Sequence, residues 1–161
     1  MSLDFLYQQL LLYMADRVDI VSDAANQAKE AATGTESVAE TKWDTFGLEN
    51  SYLAHGQAMR LVECESDMAY FRKFRFSESD TVALGSALLL VRQDGWRRIV
   101  ILAAHCGGAE FRVGDQKALI VTPNTPLGKS LLTKEEGDEI IMKSRGVEIF
   151  AEIDRIFSAH V

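Results

Sequence analysis

The chain has few prolines, few cysteines and no long apolar run. Its 161 residues include two prolines, Pro123 and Pro126, only three positions apart. The two cysteines, Cys64 and Cys106, lie far apart and outside any CxxC pair. This argues against a disulfide framework and predicts a reduced, cytoplasmic setting. No apolar run approaches the ~20 residues of a membrane span, and no basic segment of a signal peptide opens the chain. We therefore expect a cytoplasmic protein without a membrane partner.

Positive charge is scarce in the first half of the sequence. Residues 1–70 contain twelve acidic and four basic side chains, whereas residues 71–161 contain twelve acidic and thirteen basic ones. Binding to a phosphate backbone requires cations that displace counterions, so this charge distribution argues against direct DNA or RNA binding by the first half. We also expect no sequence-specific DNA binding. A basic protein surface, or a site that holds a divalent metal, is the more natural partner for this half.

Residues 1–75 are predicted to form an antiparallel helical hairpin. Residues 3–32 contain no glycine or proline, and apolar residues recur there at alternating intervals of three and four, as in a coiled coil. A second helix is predicted from about Phe46 to Phe74. The apolar line expected on the first helix is Leu3, Leu6, Leu10, Tyr13, Ile20 or Val21, Ala24 or Ala25, and Ala28. The line expected on the second is Leu48, Tyr52, Met59, Val62 and Ala69.

Residues 76–161 are predicted to form a small, mostly antiparallel β domain with one short helix, which makes the fold class α+β. The apolar period changes to two after residue 80, as expected for half-buried strands. Strands are predicted at Val82 and Leu84 with 87–91, at 96–104, at 118–121, at 139–143 and at 147–157, with a short edge strand within 106–115. The helix is predicted at residues 127–133.

Four carboxylates lie close together where the two helices are joined. Glu36, Glu40 and Asp44 are spaced four residues apart, on one face if the stretch is helical, and Glu49 follows. In one interpretation they form a solvated acidic face. In the other they supply one or two ligands to a Mg²⁺ held mainly by another molecule. In neither does this chain bind a metal stably alone, and no cofactor of its own is expected.

The two prolines lie in the stretch that joins the strand predicted at residues 118–121 to the short helix. Pro126 suits the first helical position and Thr125 the N-cap before it. Gly128-Lys129-Ser130 resembles the end of a phosphate-binding loop, but the required first glycine is replaced by Pro123. A zinc site at Cys64, His105 and Cys106 lacks a second ligand pair.

One stretch of the sequence resembles a segment of the Gre-type transcript cleavage and elongation factors of bacterial RNA polymerase. It consists of Thr125-Pro126-Leu127-Gly128-Lys129-Ser130-Leu131-Leu132, followed by Gly137-Asp138-Glu139. The order of an acidic helical hairpin and a small sheet domain is similar to the same family. The resemblance covers most of the chain in architecture and residues 118–156 in sequence detail. Residues 40–53, together with Gly56-Gln57, resemble a divergent branch of that family rather than its typical members.

The resemblance implies an FKBP-like fold for the second domain and an accessory role rather than an enzyme activity. The domain would dock on RNA polymerase core through the loop Thr122–Gly128, including Thr122, Asn124, Thr125, Pro126, Leu127 and Gly128. The hairpin would enter the secondary channel, near the 3′ end of the nascent RNA. Its tip carboxylates would help to hold the second active-site Mg²⁺, so that the polymerase hydrolyses backtracked RNA.

The hairpin tip departs from the family pattern. The typical motif has Gly-Asp and then Glu-Asn-Ala-Glu-Tyr, but Thr35 follows Gly34 here, and Glu49-Asn50-Ser51-Tyr52 is one residue short. A regulator that occupies the channel without stimulating cleavage is therefore the alternative. A prolyl isomerase with a pocket of Trp96, Phe111 and Phe150, and a holdase that uses the helical hairpin, are two further alternatives.

Overall fold

The computed structural model describes residues 1–33 and 45–158. A long helical region comes first, and a six-stranded sheet with one short helix follows, so the predicted α+β class is confirmed. The helices are α1 Leu3–Thr33, α2 Thr45–Lys73 and α3 Pro126–Leu131. The strands are β1 Ala87–Val91, β2 Arg97–Leu102, β3 Glu110–Val113, β4 Gln116–Val121, β5 Glu139–Ser144 and β6 Val147–Phe157.

The chain divides into two compact units, and the division falls within α1. One unit comprises Leu11–Arg72, which is most of both long helices. The other comprises Met1–Leu10 together with Lys73–Val161. Leu6 and Leu10, both fully buried, thus belong to the same unit as the sheet. In that unit Tyr7 packs edge-on against Phe76, with ring centroids 6.4 Å apart.

The two long helices run antiparallel within the helical unit. Arg17 of α1 forms an ion pair with Asp67 of α2 at 3.5 Å, so the helices lie side by side at this point. From there, α1 extends about 24 Å to Thr33, and α2 extends about 33 Å back to Thr45. In a parallel pair those two ends would be about 57 Å apart, farther than the roughly 43 Å that twelve residues can span. The antiparallel arrangement is therefore the one that the chain length allows.

The predicted apolar line of α1 is largely confirmed, whereas that of α2 is wrong. On α1, Val21 and Ala28 are buried as predicted, and Met14 is buried beside the predicted Tyr13. On α2 the buried side chains of the helical unit are Cys64 and Phe71. The side chains predicted to be inside are exposed instead, at Leu48, Tyr52, Met59, Val62 and Ala69.

The sheet has the strand order β3-β4-β2-β1-β6-β5. Four of its five pairings are antiparallel, and β2 with β4 is parallel. Because β1 and β2 lie in the middle, both of their faces are buried over residues 87–90 and 99–102, and these two segments are continuous apolar runs. β2 begins with two less buried arginines, Arg97 and Arg98. A β-bulge between Leu89 and Leu90 shifts the register of β1 against β6.

One face of the sheet packs against α3. Leu131 of α3 is fully buried in a cluster with Leu88, Leu90, Val100 and Leu102 of the two central strands. Leu127 and Leu132 pack against the same cluster and are partly exposed. Burying a leucine side chain contributes roughly 1.5–3 kcal/mol, so these contacts fix α3 and the loop before it on the sheet.

Two predicted element boundaries are corrected by backbone conformation. Val82 and Leu84 do not belong to β1, because Gly85 has a φ of +93° and turns the chain before Ala87. The short helix starts at Pro126 and ends at Leu131, rather than spanning the predicted residues 127–133. It ends there because the C-cap residue, Leu132, has an extended ψ of 136°. The next residue, Thr133, has a φ of +65° and donates its N–H to the Val82 carbonyl at 2.8 Å.

Candidate functional site

The candidate site is the loop from Thr122 to Pro126 together with the start of α3. Thr125 is the N-cap, in an extended conformation, and Pro126 occupies the first turn, as the sequence predicts. The Thr125 hydroxyl accepts the N–H of Gly128 at 3.1 Å and donates to the Thr122 carbonyl at 2.8 Å. It thereby satisfies one orphan N–H of the helix and closes the loop onto the cap.

Gly128 is required by the close approach of the loop. A Cβ on residue 128 would overlap the Thr122 carbonyl oxygen and would lie 2.9 Å from Pro123 Cα. Both neighbours are backbone atoms, which cannot swing away as a flexible side chain can. Gly128 is also buried, and the lack of a side chain lets α3 pack against the loop.

A second loop, His105–Gly108, lies against the same turn. A Cβ on Gly107 would come within 2.8 Å of the Thr122 Cγ2 atom. The Gly108 N–H donates to the Ile120 carbonyl at 2.8 Å, and the Ala103 N–H donates to the Val121 carbonyl at 3.0 Å. The loop is therefore held along the end of β4, beside the loop that leads into α3.

The segment after α3 is anchored from both ends, which holds α3 in place. The Val82 N–H donates a hydrogen bond to the Lys134 carbonyl at 2.8 Å. The predicted turn at Gly137-Asp138 is confirmed: Gly137 has a φ of +87° and donates its N–H to the Ile153 carbonyl at 2.7 Å. Asp138 also accepts the Glu135 N–H at 2.9 Å through its carboxylate.

The six predicted docking residues divide into exposed and structural ones. Asn124 and Pro126 are exposed, whereas Thr122, Thr125 and Leu127 are half-buried and Gly128 is buried. Lys129 was not predicted as a docking residue, yet it is exposed on α3, one turn beyond Pro126. The exposed side chains of this surface are those of Asn124, Pro126 and Lys129. A lysine three positions after a helix-initiating proline is the signal that could have identified it.

Most of the predicted tip carboxylates lie outside the described residues, because Glu36, Glu40 and Asp44 fall in the segment 34–44. Glu49 is described, and it is exposed in the first two turns of α2. Nearby, the Ser51 hydroxyl donates to the Gly47 carbonyl at 3.0 Å. Within residues 1–33 and 45–158, no three His, Cys, Asp or Glu side chains come close enough to hold a metal ion.

The remaining candidate groups are the two cysteines and the three aromatic residues. Cys64 is buried on α2, in the helical unit, and Cys106 is half-buried in a loop of the sheet unit, and neither forms a disulfide. Phe111 on β3 and Phe150 on β6 are four strand spacings apart, about 19 Å. Trp96, beside β2, packs on the sheet core, and the Cζ atoms of Arg92 and Arg98 lie 5.7 and 5.4 Å from the centroid of its ring. The three aromatic residues therefore form no common pocket.

Within the described part of the chain, no helix combines the length and apolar character that crossing a membrane requires.

Comparisons with known proteins give structural similarity at low sequence identity. No protein-family model matches the chain, and no curated protein matches it. Gfh1 (GreA factor homolog 1) of Thermus thermophilus is 17% identical, with 92% of this chain and 94% of that chain covered and a TM-score of 0.38. Gfh1 of Thermus aquaticus is 16% identical, with 98% and 97% covered and a TM-score of 0.40. The transcription elongation factor GreA/GreB of Nitrosomonas europaea is 15% identical, with 58% and 78% covered and a TM-score of 0.36.

Proposed function

We propose that this protein is an accessory regulator of transcription elongation that binds bacterial RNA polymerase core. The surface of Asn124, Pro126 and Lys129 docks on the polymerase, and the acidic helical hairpin enters the secondary channel. The protein acts in the cytoplasm and carries out no chemistry alone. Any hydrolysis of RNA belongs to the polymerase, to which the hairpin lends carboxylates.

The observation that supports this proposal is how the Thr122–Gly128 loop is packed and hydrogen-bonded against α3. Three of the residues that resemble the Gre-type segment at this point have a structural task here. Thr125 caps α3, Pro126 begins it, and Gly128 lets it close on the Thr122 backbone. The result is a rigid turn with a few exposed side chains at its outer end, which is what recognition of a partner protein requires.

The charge distribution supports insertion of the hairpin beside a metal-containing site. Residues 1–70 carry a strong excess of acidic side chains, and Glu49 is exposed on the described part of α2. Carboxylates near a Mg²⁺ supply oxygen ligands that help to hold the ion, and the bound ion activates water. The same charges make binding of the hairpin to RNA itself unfavourable.

A channel-occupying regulator that does not stimulate cleavage is the second candidate. It is favoured by one feature, the replacement of the typical tip aspartate by Thr35 after Gly34. Fewer suitably placed carboxylates would leave the second Mg²⁺ without added ligands. Steric occupation of the channel would then be the whole effect.

A cleavage assay on stalled elongation complexes separates the two candidates. Glu36, Glu40, Asp44 and Glu49 are each replaced by alanine, and binding to core polymerase is measured in parallel. Stimulated cleavage that one or two substitutions abolish, with binding retained, establishes the ligand role. Binding without stimulation in the unsubstituted protein establishes the occupancy role.

Glu65→Ala is the matched control, because Glu65 is also an exposed acid of α2 but lies far along the helix from Glu49. It should leave both cleavage and binding unchanged. Failure of the unsubstituted protein to bind core polymerase would remove both candidates.

A further inference from the structure

Strand β5 forms one edge of the sheet. It pairs with β6 through six residues, from Glu139 opposite Glu152 to Ser144 opposite Val147. No strand among residues 1–33 and 45–158 pairs with its other side. An unpaired edge of this length presents a row of N–H and C=O groups to which another strand can add.

The turn between β5 and β6 determines which residues point their backbone groups outward. Arg145 and Gly146 have φ values of +51° and +79°, which is typical of a two-residue type I′ hairpin turn. In such a turn the flanking pair, Ser144 with Val147, is hydrogen-bonded, and bonded pairs then alternate with unbonded ones. Ile153 N–H bonds to the Asp138 carbonyl at 3.0 Å, which agrees with this alternation. The outward backbone groups of β5 are therefore those of Glu139, Ile141 and Lys143.

We propose that this edge is a self-association surface, at which β5 of one chain pairs antiparallel with β5 of a second copy about a two-fold axis. With Ile141 opposite Ile141, Glu139 of each copy lies opposite Lys143 of the other. All three outward-facing residues then pair with each other, which gives six backbone hydrogen bonds. Shifting the strands by two residues leaves one of these residues in each copy without its partner.

Charge complementarity supports this register. Glu139 lies directly opposite Glu152 in its own chain, and like charges in that position are destabilising. Lys143 of a second copy approaches Glu139 from the free side and offsets this repulsion. Both Glu139 and Lys143 are exposed in the single chain, and Lys143, which lies opposite Glu148 of β6, would reach Glu139 of the second copy on its other side.

Exposed apolar side chains on the same sheet surface add to the proposed contact. Ile141 is 48% exposed, and Phe150, directly opposite it on β6, is 58% exposed. In the two-fold arrangement the Ile141 side chains of the two copies become direct neighbours, with a Phe150 on either side. The contact is small compared with a standard protein interface, so the dimer is expected to be weak and concentration-dependent.

Sedimentation equilibrium of the full chain tests the proposal. Between about 10 μM and 1 mM, the average mass is expected to rise from the 17.9 kDa of one chain towards twice that value. Glu139→Lys and Lys143→Glu each place like charges opposite one another in the dimer and should each keep the protein monomeric. Circular dichroism verifies that both variants remain folded.

An equimolar mixture of the two single variants is the most discriminating test of the proposed pairing. The Lys143→Glu chain carries acidic side chains at both positions, and the Glu139→Lys chain carries lysines at both. In a mixed pair every cross-strand contact therefore joins opposite charges, so association should return. The double variant with both substitutions should also self-associate. Lys117→Glu replaces an exposed lysine on β4 and makes the same change in net charge as Lys143→Glu. This control variant should associate like the unsubstituted protein.

Three results would overturn the proposal. The first is a mass of one chain for the unsubstituted protein at every concentration. The second is a dimer that neither single substitution weakens, which would place the contact elsewhere. The third is a loss of association in the single variants that mixing does not restore.

Discussion

The Gly128 backbone lies directly against the Thr122 carbonyl, with no room for a side chain between them. This contact joins α3 to the loop that precedes it, and Thr125 reinforces it with two hydrogen bonds through its hydroxyl. The surface proposed to dock on RNA polymerase depends on it, because Asn124 and Pro126 lie between the two residues that touch.

Replacing Gly128 with alanine should destabilise the fold. The added methyl group meets backbone atoms of Thr122 and Pro123, so either the loop or α3 must move. Overpacking of this kind costs about 1–3 kcal/mol in the free energy of unfolding. Urea denaturation followed by circular dichroism measures the change. An unchanged midpoint would mean that the loop does not pack as described.

Gly56→Ala is the matched control for that substitution. Gly56 lies within α2, and no atom is within 4 Å of the position that a Cβ would occupy. Alanine is better than glycine in a helix interior by roughly 0.5–1 kcal/mol. This variant should therefore raise the midpoint of urea denaturation, in the opposite direction to Gly128→Ala.

Replacing Thr125 with alanine should cost about 1 kcal/mol in stability, the usual value of a lost N-cap. The hydroxyl both accepts from Gly128 and donates to Thr122, and alanine can do neither. Serine keeps the hydroxyl, so Thr125→Ser should restore most of the loss in the same denaturation experiment. Equal losses for alanine and serine would show that the hydroxyl is not the stabilising group.

The Arg17–Asp67 ion pair should contribute little, although it joins the two long helices. The N–O distance is 3.5 Å, and the side chains are 31% and 20% exposed. Partly exposed pairs of this kind are worth about 0.2–1 kcal/mol, and salt screens them. A double-mutant cycle of Arg17→Ala and Asp67→Ala should give a coupling energy in that range that falls as NaCl is added. A larger coupling that is insensitive to salt would contradict this.

Lys129→Glu should weaken binding to core polymerase by roughly tenfold without changing stability, since a reversed charge at an interface costs on the order of 1.4 kcal/mol. Lys129 is exposed on α3 beside the proposed docking loop. Lys117→Glu makes the same change of charge on β4 and should leave binding unaffected. Equal effects of the two variants would point to net charge rather than to this surface.

Local sequence signals predicted those parts of the fold that short-range chemistry determines. The absence of glycine and proline from residues 3–32 predicted α1 almost to its ends, and Thr125-Pro126 predicted the start of α3. The division of the chain at residue 75 stays a prediction, although the structure groups the first ten residues with the sheet.

The inner face of α2 could not be predicted, because this helix carries two apolar lines on opposite sides. Leu48, Tyr52, Met59 and Val62 are spaced as regularly as the line that is inside, which includes Leu61, Cys64 and Phe71. Gln57 and Asp67, both half-buried, are polar residues within the inner line. Because they interrupt it, the spacing of apolar residues along the sequence does not identify this line as the buried one. Only packing against α1 decides between the two lines.

The pairing of strands that are distant in sequence, and the exposure of side chains around α3, also could not be predicted from the sequence. The parallel contact of β2 with β4 joins segments that are separated by β3, and no local signal specifies it. The exposure of Lys129 beside Pro126 follows from how α3 lies on the sheet core. Of the predicted docking residues, Gly128 proves buried because the loop closes over it.

Fluorescence anisotropy of the chain, labelled at its N-terminus and titrated with bacterial core RNA polymerase, tests the central proposal most directly. The proposal predicts saturable binding with a dissociation constant below about 10 μM, and release of the label when an unlabelled typical Gre factor is added. No change in anisotropy up to roughly 50 μM polymerase would contradict the proposal. Binding that a Gre factor does not compete with would contradict docking at the shared site.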